Sequence, residues 1–157
     1  MIILFCGIPG SGKTTIAEIL ATRLSAIGRV KLSTSDRMKP PVYRRMFQAL
    51  EAGQGEEDFL ILDATFYKTE WRDRVAELAA GRTIATIYLH CPREVALQRN
   101  RERALRISDR ALHIVYHRME PPDRPDLTID TSKCAPEEAA ELILRLARAR
   151  ETHPSDP

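Results

Sequence analysis

The sequence predicts an α/β fold, a three-layer α/β/α sandwich with a five-stranded parallel sheet. Three observations predict it. Short β-branched and apolar runs alternate with amphipathic stretches. The runs are nearly continuous in apolar residues, as strands buried on both faces require. A glycine-rich loop joins the first run directly to the first helical stretch.

The strands are expected at Ile2–Cys6, Val30–Thr34, Phe59–Asp63, 83–90 and 126–130. Helices are expected over 13–27, 41–52, 69–80, 92–103, 108–118 and 136–148. The last is the best marked. Pro136 suits the first helical position, Glu137 and Glu138 lie in the first turn, and Arg145, Arg148 and Arg150 lie near the end. No repeat or linker interrupts the pattern, so residues 1–150 are expected to form one domain. Residues 151–157, with two prolines and no apolar side chain, are expected to be a loose tail.

A chain of 157 residues with 43% hydrophobic and 29% charged residues is typical of globular proteins rather than disordered ones. No apolar stretch reaches the length of a spanning helix, and 1–6 is too short for a signal core, so a cytoplasmic protein without a membrane partner is expected. Cys6, Cys91 and Cys134 are odd in number and scattered, which argues against a disulfide framework. A net charge of +2 is too mild for a dedicated nucleic-acid binder, so any such function must rest on local patches.

Gly7-Ile8-Pro9-Gly10-Ser11-Gly12-Lys13-Thr14 matches G-x-x-x-x-G-K-[ST] between a strand and a helix. Such a loop brings successive backbone N–H groups toward phosphate oxygens, and the helix after it adds its positive end. A nucleoside triphosphate, ATP in the absence of guanine motifs, is therefore expected on 7–14 and Thr15, with Lys13 at the β and γ phosphates. The Thr14 hydroxyl is expected on Mg²⁺. Phe59–Asp63 reads as the strand that places a carboxylate near that metal, so Asp63 is preferred as a metal residue, acting through water, over a turn cap.

Asp36 closes the second strand, at the sheet edge where doubly wound folds bind ligands. A carboxylate there can take the proton of an acceptor hydroxyl, although Asp also favours turns. Between 92 and 118 seven arginines face three acids, and Arg99 and Arg103, four apart, share a helix face. These two are expected to act as a lid over the transferring phosphoryl group, within a lid of about 99–120. Arg93 and Arg101 are assigned to a solvated face, and Glu102–Arg106 to a surface pair. His113 and His117 have metal-like spacing but no third ligand, and Trp71 reads as a helix anchor rather than a base platform.

With these elements the chain resembles the small P-loop kinases that include adenylylsulfate kinases, archaeal-type seryl-tRNA kinases and bacteriophage-type polynucleotide kinases. The resemblance covers nearly the whole chain and implies a P-loop NTPase fold with ATP-dependent phosphorylation of an alcohol. Residues 120–122, 125–131 and 136–138 are similar to the C-terminal third of adenylylsulfate kinases. The paired Asp-Gly-Asp of those enzymes is absent, since Ser33 to Asp36 reads Ser-Thr-Ser-Asp. Ser35-Asp36, 63–67 and 99–103 are closer to seryl-tRNA kinase. Polynucleotide kinases often carry Arg where Lys39 stands. Arg37, Lys39, Arg44 and Arg45 follow Asp36 without an intervening acid, so Asp36, Arg37 and Lys39 are expected to contact an acidic acceptor, either nucleotide-like or a nucleic-acid end. A nucleotide-dependent switch with little phosphoryl transfer is the alternative.

Overall fold

The computed structural model describes residues 1–52, 56–103 and 107–152. In chain order these form β1 (Ile2–Cys6), α1 (Lys13–Leu24), β2 (Val30–Thr34), a 3₁₀ turn (Ser35–Arg37), α2 (Val42–Ala52), β3 (Phe59–Asp63) and α3 (Thr69–Leu78). They continue with β4 (Ile84–His90), α4 (Arg93–Glu102), α5 (Asp109–His117), β5 (Leu127–Asp130) and α6 (Pro136–Thr152). The five strands form one sheet in the order β2-β3-β1-β4-β5, and every pairing is parallel.

The sheet alternates its side chains between two cores, because successive strand residues point to opposite faces. Ile3 and Phe5 of β1 join Ile61, Ile87 and Leu89 under α1 and α6. Ile16, Leu20 and Leu24 supply the α1 stripe at four-residue spacing, and Ala139, Ala140, Ile143 and Ala147 supply that of α6. The small alanines let α6 lie close to α1. On the other face Ile2, Leu4 and Cys6 meet Leu60, Leu62, Met46, Leu50 and Val75, so α2 and α3 cover it. A fully buried Leu, Ile or Phe contributes about 1.5–3 kcal/mol relative to exposure.

Only β1 and β3 are buried along their whole length. β2 and β5 pair on one side only, and the exposed Lys31 and Thr128 mark them as edges. The expectation that all five strands are enclosed therefore fails at the edges and on one face of β4, which a one-dimensional pattern does not distinguish. The first helix ends at Leu24 rather than 27, where the N–H groups of Ile27 and Gly28 turn back on the Leu24 carbonyl at 2.9 and 3.0 Å. The last helix runs on to Thr152, because Arg150 is anchored to the Ile84 carbonyl at 2.8 Å and to Asp126. The expected tail thus keeps 153–157 alone, and these lie outside the described residues, as does Arg106.

The strand order positions the site. The chain leaves β1 toward β2 and leaves β4 toward β5, in opposite directions across the sheet. The carboxyl ends of β1 and β4 therefore splay their loops apart and open a crevice, the place where such sheets bind ligands.

Candidate active site

The loop between β1 and α1 is held at both ends. The Gly7 N–H donates to the Thr65 carbonyl at 3.0 Å, and the Ser11 N–H donates to the Ile8 carbonyl at 3.2 Å. Ile8, Pro9 and Ser11 are buried, while Gly12 stands at the N-cap of α1 with φ 87°. Gly10 has φ 83°, and a Cβ there would lie 2.5 Å from the Ala96 carbonyl oxygen. The loop and α4 touch backbone to backbone, so no residue larger than glycine fits between them.

Lys13 is 7% exposed and folds over this loop. Its Nζ donates to the carbonyls of Gly7 at 3.0 Å and Ile8 at 2.8 Å, and to Ser11 Oγ at 3.3 Å. Burial pulls its pKa down to about 8, against the raising effect of the nearby Asp63 carboxylate. The three acceptors fix the ammonium directly over the loop. Thr14, half-buried, and Thr15, exposed, follow in the first turn and line the same cleft.

Asp63 ends β3 almost wholly buried. Its Oδ2 accepts from the Thr34 hydroxyl of the neighbouring strand, to which it is register-paired. Its Oδ1 is buried with no hydrogen-bond partner among the described residues. A carboxylate oxygen left without a donor is costly unless a cation or its water meets it, so the donor set of Asp63 and the Thr14 hydroxyl fits a magnesium ion.

Asp36 lies in the 3₁₀ turn after β2, and its carboxylate accepts from Arg103 Nη2, which caps the C-terminal end of α4. Arg99 takes a different route. Its Nη1 and Nη2 donate to the Thr131 hydroxyl at 3.0 Å and the Thr131 carbonyl at 2.8 Å, and Nη1 also approaches the Gly10 carbonyl at 3.5 Å. The two arginines thus diverge: Arg103 reaches the turn after β2, and Arg99 ties the loop after β5 to the glycine loop. Lys39 is exposed and makes no hydrogen bond or ion pair among the described residues. The side chain of Arg37 lies outside the described residues.

Gly12, Lys13, Thr14, Arg99, Arg103 and Thr131 line a cleft of about 310 Å³, within the range of small-ligand pockets. Thr131, expected near the nucleotide base only by the family resemblance, lines this cleft. It is buried, and its N–H donates to the His90 carbonyl at 2.9 Å, which sets the loop after β5 against the end of β4.

Three further residues shape the floor behind β3. Tyr43 Oη bonds Thr65 Oγ1 at 2.7 Å and accepts from the Phe66 N–H at 3.0 Å, while Arg72 Nη1 donates to the Phe66 carbonyl at 2.7 Å. Phe66 has φ 39°, a left-handed conformation unfavourable for an aromatic residue, and these bonds hold it from both sides. Trp71 stacks on Tyr43 with ring centroids 3.8 Å apart and so anchors α3 on α2. The rings of His113 and His117 lie 4.2 Å apart on α5, and among the described residues no group of three metal-ligating side chains exists. Arg93, expected on a solvated face, instead bonds His113 Nδ1 at 2.8 Å and lies over the Tyr116 ring.

Residues 2–122 match the family described as AAA domain. The chain belongs to that family. Its relatives include kinases, and the chain spans 60% of the length of the first of them. It is 25% identical over 154 residues to the L-seryl-tRNA(Sec) kinase of Methanococcus maripaludis, covering 85% of this chain and 60% of that protein. It is 28% identical over 160 residues to a Pyrococcus abyssi protein named "Probable adenylyl-sulfate kinase", covering 90% and 91%. The fold is shared with the Mycobacterium tuberculosis APS kinase CysC in complex with AMPPNP and APS, at a TM-score of 0.70, 16% identity, and coverage of 94% and 96%. Among the described residues of this AAA-domain protein, no helix is long and apolar enough to cross a membrane.

Proposed function

We propose that the protein transfers the γ-phosphoryl group of ATP to a hydroxyl of an acidic, nucleotide-like acceptor. The observation that carries this reading is Asp36, a carboxylate at the carboxyl edge of the sheet beside the cleft lined by Lys13 and Thr14. A nucleotide-dependent switch has no use for a carboxylate there, whereas transfer to an alcohol needs a proton acceptor.

In this reading the triphosphate lies on 7–14 and Thr15, with its γ end toward Lys13. The acceptor oxygen attacks the γ-phosphorus while Asp36 takes its proton, and the bond to the β-phosphate oxygen breaks to release ADP. Lys13, Arg99 and Arg103 balance the charge that spreads over the phosphoryl oxygens. Thr14 and Asp63 would hold Mg²⁺, which when bound neutralises phosphate charge. Arg103 reaches the acceptor side through Asp36, and Arg99 spans Gly10 and Thr131. Lys39 is exposed just past Asp36, and with Arg37 beside it in the sequence this positive stretch suits a phosphate-bearing acceptor.

Incubation with γ-labelled ATP and a panel of nucleosides, nucleotides, adenylylsulfate, tRNA and 5′-hydroxyl oligonucleotides tests the reading. Label is expected in an anionic acceptor. Tight ATP binding with no labelled acceptor would favour the switch instead.

A further inference from the structure

α4 ends without the usual stop signal. Neither glycine nor proline follows it before Pro121, yet the helix closes at Glu102 and Arg103 takes an extended conformation, φ −75° and ψ 143°. A residue inside the helix supplies what is missing. Asn100 is fully buried, its side-chain amide donates from Nδ2 to the Ile107 carbonyl at 2.6 Å, and its Oδ1 accepts from the Ile107 N–H at 3.1 Å. The Arg103 N–H turns back on the Asn100 carbonyl at 3.4 Å. Asn100 therefore holds the chain at two points past the helix, at Arg103 through its backbone and at Ile107 through its side chain.

The clamp needs an amide. One side-chain group meets both polar backbone atoms of one residue, its donor on the carbonyl and its acceptor on the N–H, and the reverse orientation would set oxygen against oxygen. Aspartate keeps only the bond from the Ile107 N–H, and alanine keeps neither. Asparagine is a poor helix former and costly to bury unpaired, so its place in α4 is set by these bonds. The consequence falls on the arginines beside it. Had α4 run on, Arg103 would project along the same helix face as Arg99. With the break, Arg99 reaches Thr131 and Gly10 while Arg103 reaches the carboxylate of Asp36. Ile107 also precedes Ser108, whose Oγ accepts from the Ala111 N–H at 3.2 Å, so the same clamp fixes where α5 begins.

We propose that Asn100 is a positioning residue for phosphoryl transfer: by ending α4 just before Arg103 and clamping Ile107, it aims the Arg103 guanidinium at Asp36. Its side chain is buried on Ile107 and acts only through Arg103. The inference rests on the kinase reading for the transfer itself, but its first test reads the pair of Arg103 and Asp36 alone.

The first experiment follows guanidinium signals by NMR in the full chain with isotope-labelled arginine, the Arg99 and Arg103 signals being identified from Arg99→Lys and Arg103→Lys. The Arg103 Nη signal is expected to be sharp while Asp36 holds that nitrogen and to broaden in Asp36→Asn. It is expected to broaden in the same way in Asn100→Ala, and less in Asn100→Asp, which keeps the acceptor for the Ile107 N–H. The Arg99 signal is expected to stay as it is in all three, because its partners are Thr131 and Gly10. The second experiment reads turnover. Asn100→Asp is expected to lower kcat by about 10–100-fold with the KM for ATP nearly unchanged, as displacement of a catalytic group by about 1 Å dictates. Added to Arg103→Lys, it is expected to cost little beyond Arg103→Lys alone. An Arg103 signal indifferent to both Asn100 variants, joint collapse of the Arg99 and Arg103 signals, or losses that multiply in the double variant would overturn the proposal and leave the kinase reading standing. The expected signals with no acceptor labelled from ATP would uphold the hold of Asn100 on Arg103 and overturn the kinase reading.

Discussion

Arg103, at the end of α4, donates from Nη2 to the carboxylate of Asp36, in the turn after β2. The pair joins the end of α4, which lines the cleft, to the turn after β2. Both side chains remain about one-third exposed, so it contributes only about 0.2–1 kcal/mol to stability. The carboxylate is free to exchange this partner for an acceptor hydroxyl at little energetic cost.

Asp36→Asn is accordingly expected to lower kcat by about 100-fold while ATP affinity stays the same and the urea midpoint shifts by less than about 1 kcal/mol. Steady-state kinetics alongside equilibrium unfolding checks this. Full turnover in the variant would remove Asp36 from the reaction.

The buried Lys13 gives a pH signature. Its pKa of about 8 lies below the ordinary lysine value, and a bound triphosphate favours the protonated form. Binding above pH 8 must then take up a proton, and ATP affinity should fall by up to about tenfold per pH unit as pH rises from about 8. Calorimetry in buffers of different ionisation enthalpy measures the uptake. Lys13→Arg, charged throughout this range, should abolish the pH dependence.

Asp63→Asn keeps an acceptor for the Thr34 hydroxyl but removes the negative charge at the orphaned oxygen. The magnesium concentration needed for half-maximal ATP binding is expected to rise by about 10–100-fold. Nucleotide titrations at a series of magnesium concentrations would show it, and an unchanged requirement would separate Asp63 from the metal.

Gly10 and Gly12 have nearly the same φ, 83° and 87°, so alanine at either meets similar backbone strain of about 1–2 kcal/mol. They differ in surroundings. A Cβ on Gly12 finds only Ile16 Cδ1 at 3.7 Å, whereas one on Gly10 strikes the α4 backbone. Gly10→Ala is expected to lower the melting temperature further than Gly12→Ala. Equal shifts would show that α4 moves away freely.

Tyr43→Phe removes the hydroxyl that accepts from the buried Phe66 N–H and bonds Thr65. A cost of about 1–3 kcal/mol in unfolding free energy is expected, with the Trp71 stacking and ATP affinity preserved. Fluorescence of the single tryptophan during urea unfolding reports both.

The strands β1, β2 and β3 coincide with the runs the sequence presents, because their apolar and β-branched residues are consecutive and their ends are marked by Gly7, Ser35 and Asp63. The positions of the glycine loop, Lys13 and Thr14 between β1 and α1, and of Asp63 at the end of β3, were legible for the same reason: each is marked by its neighbours along the chain. Helix ends were less legible. Leu24 and Thr152 terminate α1 and α6 through a turn-back on a carbonyl and an anchor on a distant strand.

What the sequence determined by itself was the α/β alternation, the phosphate loop and the presence of carboxylates at strand ends, all properties of local spacing. Only the tertiary structure decided that β2 and β5 are edges, that Arg99 goes to Thr131 while Arg103 goes to Asp36, and that Arg93 sits over Tyr116. Two arginines four residues apart share a helix face in any sequence. Which partner each finds depends on strand order and on the last turn of α4, and those are set by packing across the sheet.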